Sequence, residues 1–245
     1  MGTVVSLDVR DPEIPEAVLE AAIAWFHDVD GRFSTFRADS EVSRLARGEL
    51  GESECSRDLR EVLGLCAEVK RRSGGCFDVQ HGGRLDPSGL VKGWSVERAA
   101  EMLVTSGARN FLIGAGGDVV VRGGPAPGER WRVGIRHPEV VERMAAVVEA
   151  SDLAVATSGT YERGAHILDP RTGGAAGAVL SMTVVGPSLT YADAYATAAF
   201  VMGEEGLGWV AGIDGYSALV VTRDRRVAWT AGMDALLSRA EAVPT

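Results

Sequence analysis

The sequence predicts one compact α+β unit. Strand-like alternation and helical periodicity interleave along the whole chain, no internal repeat is present, and neither a long linker nor a break in composition divides the 245 residues. Hydrophobic residues make up 46% and charged residues 24%, the balance of an ordinary globular protein, which sets aside disorder and fibre as the main story.

Each element has a local reason. Residues 4–9 alternate as a strand, and Pro12 and Pro15 open an amphipathic helix to about Phe33, with Val18, Leu19, Ala22, Ile23 and Phe26 on one side. Ser40 can cap a short helix over 41–47. Asp58 can cap the next, whose Leu59, Val62, Leu63, Cys66 and Val69 repeat at helical spacing until Ser73-Gly74-Gly75. The stretch 76–93, CFDVQHGGRLDPSGLVKG, is polar, glycine-broken and read as loop, with a helix over 94–105 after it. Short strands follow at 110–113 and 119–122, around Trp131, Val133 and Ile135, and at 145–149, 153–157, 166–168 and 181–185. Helices are expected over 193–202 and 204–211, then a hairpin of 216–222 with 226–229.

Charge narrows the function. Asp and Glu number 34 against 25 Lys and Arg, so the formal charge of −9 repels a polyanion and argues against a nucleic-acid partner. A small anion can still bind where one lysine, helix end or metal outweighs the average field. No run approaches the ~18 apolar residues of a membrane span. The opening MGTVVSLDVR has no basic segment followed by an apolar one, so a cytoplasmic protein without a signal peptide is expected. Cys55, Cys66 and Cys76 lack CxxC spacing and read as reduced thiols.

Four stretches could carry chemistry. In YADAYATAAFVMG, Asp193 and Thr197 are four apart and share a helix face. Together they are hard oxygen ligands suited to Mg²⁺, or Asp193 caps the first turn and Thr197 bonds back to its helix. In LDPSGLVKGW, Asp86 and Lys92 bracket a turn at a helix entrance, as a phosphate contact or as a solvated lysine; the GxxxxGK[ST] pattern is absent. FLIGAGGDVVVRGG lacks GxGxxG and leads into a strand, so it is a tight hairpin or a ligand-approach loop and not a dinucleotide fingerprint. In TSGTYERGAHILDPRTGG, Thr157, Ser158, His166, Asp169 and Arg171 lie close in sequence, and a neutral His is a plausible base.

In this order, FSTFRADSEVSRL, GGCFDV, LDPSGLVKGW, GAGGDVVVRG, ATSGTYERGAHILDPRTGG and ADAYATAAFVMG resemble the ApbE family, the FAD:protein FMN transferases, from Met1 to about Gly203. The resemblance implies a single domain over 1–245, an α+β fold with a largely antiparallel sheet and packed helices of the tunnelling type. It implies an enzyme that uses FAD and Mg²⁺ to move the FMN moiety onto a threonine of an acceptor protein, releasing AMP. Asp193, Thr197 and the carbonyl of Gly89 fall at metal positions. Met1, Phe36, Cys76, Phe77, Asp78, Asp86, Lys92 and Ile167 fall at FAD-contact positions. His166 matches the histidine that would activate the acceptor hydroxyl, and Lys92 could add positive charge during transfer. Two alternatives use the same site: a Mg²⁺-dependent FAD pyrophosphatase giving FMN and AMP, and an FAD-binding protein without turnover. The chain departs from the family pattern where Gln80-His81 replace Thr-Val and where FDVQHGG runs almost directly into LDPSG, which marks a compact member.

Overall fold

Strand β1 (Val5–Val9) leads into α1 (Glu16–Phe33), entered from Pro15, whose fixed φ and missing N–H are no burden at a helix start. The computed structural model describes residues 3–81, 84–140, 142–160 and 167–238. Helix α2 (Glu41–Ala46) is capped by Ser40, whose Oγ accepts the Ser43 N–H. Helix α3 (Arg57–Arg72) is capped by Ser56, which accepts the Leu59 N–H at 3.2 Å, and not by Asp58. Asp58 stands in the first turn and pairs with Arg32 of α1.

A small hairpin, β2 (Gln80–His81) and β3 (Arg84–Leu85), precedes α4 (Ser88–Thr105). The sequence reading of 76–93 as loop is corrected here: α4 begins well before Trp94, so Gly89, Lys92 and Gly93 are helical. Strands β4 (Phe111–Ala115) and β5 (Asp118–Arg122) form a tight hairpin. Gly116 and Gly117 turn it with φ of +55° and +92°, the left-handed conformation that a type I′ turn needs at both central positions. GAGGD is therefore the hairpin of the two open options.

A second hairpin, β6 (Trp131–Arg136) and β7 (Met144–Ala150), is followed by β8 (Ala154–Gly159) and β9 (Val179–Gly186). Of the strand expected at 166–168, His166 lies outside the described residues and Leu168 makes an isolated bridge with Ala175. Helices α5 (Leu189–Met202) and α6 (Glu205–Ala211) precede β10 (Ser217–Thr222) and β11 (Val227–Trp229).

Seven strands form one antiparallel sheet in the order β1-β4-β5-β8-β9-β10-β11. Strand alternation divides its two faces. Ile113, Val120, Ala156, Val184 and Val220 face the helices, with Leu59, Leu103 and Phe200 in the larger core. Val121, Val155, Val185, Leu219 and Val221 face the β6–β7 hairpin and pack on Trp131, Val133 and Val148. The result is helices, sheet and hairpin in three layers, the α+β architecture that the sequence predicts with the antiparallel sheet that the resemblance implies.

Helix α5 is apolar on nearly every side and lies in the middle of the helical layer. The correction to its start matters for function. It begins at Leu189, with Ser188 as the cap accepting the Tyr191 N–H, so Asp193 sits beyond the first turn and does not cap the helix. Among the described residues no helix is long and apolar enough to cross a membrane, and the three cysteines are buried and unpaired.

Candidate active site

The site lies where α4 and α5 cross above β5 and β8. The crossing is close because of Gly93: a Cβ there would stand 2.4 Å from the Leu189 carbonyl oxygen and 2.9 Å from Asp193 Cβ. Only glycine allows this contact. It lets the Gly93 N–H donate to Asp193 Oδ2 at 2.9 Å. In a regular α-helix that amide serves the carbonyl four residues back, which is Gly89. The Gly89 carbonyl, with two lone pairs, therefore keeps acceptor capacity.

Asp193 and Thr197 project from one face of α5, as their spacing requires. The Thr197 hydroxyl lies 3.1 Å from Ser158 Oγ on β8, and 3.8 Å from where a Cβ of Gly89 would be. Alternation in β5 and β8 turns Asp118 and Ser158 toward the helices, on the side of Val120 and Ala156.

Asp118 has no solvent exposure, and Lys92 Nζ stands 2.8 Å from its Oδ2 and 3.6 Å from Asp193 Oδ1. Its Oδ1 accepts the Thr157 N–H at 3.1 Å. Oδ2 receives no well-directed hydrogen bond and is balanced by the lysine charge. Burial pushes the Asp193 carboxyl well above the usual carboxylate range; Lys92 pulls it down and the neighbouring Asp118 pushes it up. Two buried carboxyl groups thus share one ammonium, and with both ionised the set would be one positive charge short of neutrality.

The donor chemistry fits a hard divalent ion. Among the described residues no cluster of three or more His, Cys, Asp or Glu is placed to hold a metal. The available set is a mixed one: a carboxylate oxygen of Asp193, the Thr197 hydroxyl and the Gly89 carbonyl. Few protein ligands with room for water or phosphate oxygens are what Mg²⁺ prefers.

The other expected positions are distributed as follows. Phe77 is buried, its Cε2 3.2 Å from a Cβ position on Gly89, so the ring lies against the first turn of α4. Asp86 Oδ1 accepts the Ser88 N–H at 3.0 Å and closes the turn into α4. Asp78 pairs with Lys70 at 2.5 Å and accepts the Gln80 N–H at 3.0 Å. The Cys76 thiol is pushed up by burial and drawn down in part by Arg171. Ile167 packs on the main core, and its carbonyl accepts the Ala176 N–H at 2.9 Å. Phe36 is 92% exposed. Met1 and His166 lie outside the described residues. Beside the β2–β3 hairpin a cavity of about 360 Å³ is lined by Leu45, Ala46, Glu52, Leu63, Val79, Gln80 and Leu85.

Sequence reasoning missed two residues here. Asp118 was visible only as the last letter of GAGGD; its signal is a carboxylate opening an apolar strand on the inward-facing side. Glu97 was not singled out. Its Oε2 accepts from Ser188 Oγ at 2.7 Å, from the Thr190 N–H at 3.0 Å and from Thr190 Oγ1, and so ties α4 to the first turn of α5.

A family model described as the ApbE family matches residues 1–83 and 79–220. The FAD:protein FMN transferase of Vibrio cholerae is 37% identical over 131 residues, 49% of this chain and 39% of that protein. The FAD:protein FMN transferase of Treponema pallidum is 33% identical over 203 residues, 71% of this chain and 56% of that protein. The chain thus spans about half the length of these two relatives or less. In structure it is similar to the flavin transferase ApbE from Vibrio cholerae, with a TM-score of 0.84 at 24% identity over 97% of this chain and 96% of that one. The ApbE protein from Thermotoga maritima gives a TM-score of 0.83 at 22% identity, covering 96% of each chain. At these identities the structural likeness speaks to the fold.

Proposed function

Because the chain belongs to the ApbE family, we propose that it transfers the FMN moiety of FAD to a threonine hydroxyl of an acceptor protein and releases AMP. The observation that carries this reading is the meeting of Asp193, Thr197 and Gly89 with Lys92 at one helix crossing.

In the reaction, the threonine oxygen forms a bond to the FMN phosphorus. The bond from that phosphorus to the bridging oxygen of the diphosphate breaks, AMP leaves with the electron pair, and the hydroxyl proton goes to a base. Such phosphoryl transfers need positioning and charge neutralisation more than covalent help. Mg²⁺ held by Asp193, Thr197 and the Gly89 carbonyl would supply Lewis-acid neutralisation of the diphosphate oxygens. Lys92 adds a positive charge at the same rim, aimed by Asp118. Gly93 fixes the Asp193 carboxylate through its amide. Phe77 backs the first turn of α4, which holds Gly89 in place. His166 is the base in this reading, on the strength of the family motif; general-base help of this kind is worth roughly 10²–10⁴-fold. The cavity beside Val79 and Leu85 falls in the usual size range for small-molecule sites.

The test is mass spectrometry of a candidate acceptor after incubation with the chain, FAD and Mg²⁺. A threonine heavier by one FMN unit is expected, with labelling lost in Asp193→Asn. FMN and AMP appearing with no labelled acceptor would make it a pyrophosphatase, and bound but unconsumed FAD would make it a binding protein.

A further inference from the structure

We infer that Asp118 is a positioning residue that holds Lys92 off the metal-binding oxygen of Asp193. The inference rests on the metal reading of Asp193 and Thr197.

The geometry is a competition. Lys92 Nζ is 2.8 Å from Asp118 Oδ2 and 3.6 Å from Asp193 Oδ1, so the ammonium is seated on one carboxylate and makes only a longer ion pair with the other. A small rotation of the lysine chain would close the second gap. Asp193 Oδ2 already accepts the Gly93 N–H, so Oδ1 is the less encumbered oxygen for a cation. A lysine seated on Oδ1 would hold the place of the metal, with its charge repelling Mg²⁺ as well.

Asp118 is built to prevent this. It is fully buried, and its Oδ1 is anchored by the Thr157 N–H at 3.1 Å. Its backbone begins β5 straight after the Gly116-Gly117 turn, in register with Ala115. The carboxylate is thus held from three directions, by β4 through the hairpin, by β8 through Thr157 and by α4 through Lys92. Oδ2, with no well-directed hydrogen bond, has the lysine as its ionic partner. A buried carboxylate fixed this firmly is costly unless its ammonium stays. The same lysine remains within reach of a diphosphate at the rim while its charge is balanced from behind.

Partners behind a metal site commonly change metal affinity by about 10–100-fold when removed. For Asp118→Asn, Mg²⁺ affinity measured by calorimetry, without FAD or acceptor, is expected to fall at least ~10-fold, because Lys92 moves onto Asp193. Flavin transfer by that variant should recover as Mg²⁺ is raised. The double variant Asp118→Asn/Lys92→Met replaces the ion pair with a neutral pair of similar shape and should bind Mg²⁺ to within about threefold of the wild type, since a buried pair can be exchanged for neutral groups without great loss. Should Asp118→Asn fail to fold, Asp118→Ser takes its place in the comparison with the double variant. A double variant as weak as Asp118→Asn would make Asp118 a direct ligand or a merely structural residue, and an unchanged affinity in Asp118→Asn would overturn the inference alone. A wild-type chain that binds no Mg²⁺ would end both this inference and the metal reading beneath it.

Discussion

The main-chain amide of Gly93 on α4 donates to Asp193 Oδ2 on α5 at 2.9 Å, across a crossing that no side chain at residue 93 could share. The packing of the two helices and the aim of the carboxylate are thus one constraint. Gly93→Ala puts a methyl 2.4 Å from the Leu189 carbonyl oxygen, backbone that cannot turn aside. Overpacking of this kind costs about 1–3 kcal/mol and occasionally more, so a clear drop in melting temperature is expected together with loss of Mg²⁺ binding. Gly89→Ala is the contrast. Its Cβ meets Phe77 at 3.2 Å, a contact that a few tenths of an ångström relieve, and the proposed ligand at 89 is a carbonyl that the substitution keeps. Near-native melting and retained Mg²⁺ binding in Gly89→Ala, with both lost in Gly93→Ala, are the expected pair of results.

Glu97 should matter to α5 as much as the helix's own cap. One carboxylate oxygen takes the Ser188 hydroxyl, the Thr190 amide and the Thr190 hydroxyl, all at the positive end of the helix that carries Asp193 and Thr197. Hydrogen bonds to a charged group contribute about 1.5–3 kcal/mol each at most, and they are not additive here because they share one oxygen. Glu97→Ala is expected to cost roughly 2–3 kcal/mol in urea unfolding, and Glu97→Gln less. A cost within ~0.5 kcal/mol, the range of an ordinary surface change, would mean that Ser188 suffices.

The contrast between these residues shows what the sequence could reveal. Helix α3 and strand β6 were legible because their burial follows one period, and Asp193 with Thr197 because a spacing of four is a property of one helix. The start of α4 was hidden by Pro87, Gly89 and Gly93, which break a local pattern and make sense only against α5. The start of α5 was hidden for the same reason: Ser188 is a fair cap after Pro187, but the deciding partner is Glu97, far away in sequence. Asp118 belongs with them. A lone carboxylate after two glycines announces a turn, and its bond to Lys92 exists only once β5 lies beneath α4. Tertiary partners, not propensity, set these boundaries.

The thiols give a prediction in pH. Burial pushes Cys66 up to about 12 from its ordinary 9.0, and Cys55 and Cys76 are also raised by burial. A raised thiol pKa means that the folded chain holds the proton where the unfolded chain releases it. The Cys66 contribution is therefore complete below pH 9.0 and declines from there to about 12, with a slope of up to ~1.4 kcal/mol per pH unit. Stability measured by urea at pH 8, 9.5 and 10.5 should fall more steeply in the wild type than in Cys66→Ala. A thiol reagent at pH 8 should label the native chain slowly and the unfolded chain at all three cysteines.

Thr197 offers the sharpest separation of ligand from scaffold. Its hydroxyl is 3.1 Å from Ser158 Oγ and beside Gly89, so it has both a polar neighbour on β8 and an open side toward α4. Thr197→Ser keeps the oxygen and loses a methyl, which should leave Mg²⁺ affinity within a few-fold. Thr197→Val keeps the shape and loses the oxygen; it leaves Ser158 short of a partner, at about 1–3 kcal/mol in stability if nothing replaces it. Ser158→Ala in the Thr197→Val background relieves that orphaned hydroxyl, because removing both partners of a buried hydrogen bond is often close to neutral. Stability should then return while Mg²⁺ affinity stays low. Affinity returning along with stability would show that Thr197 serves the fold and that the ion, if held, is held by other oxygens.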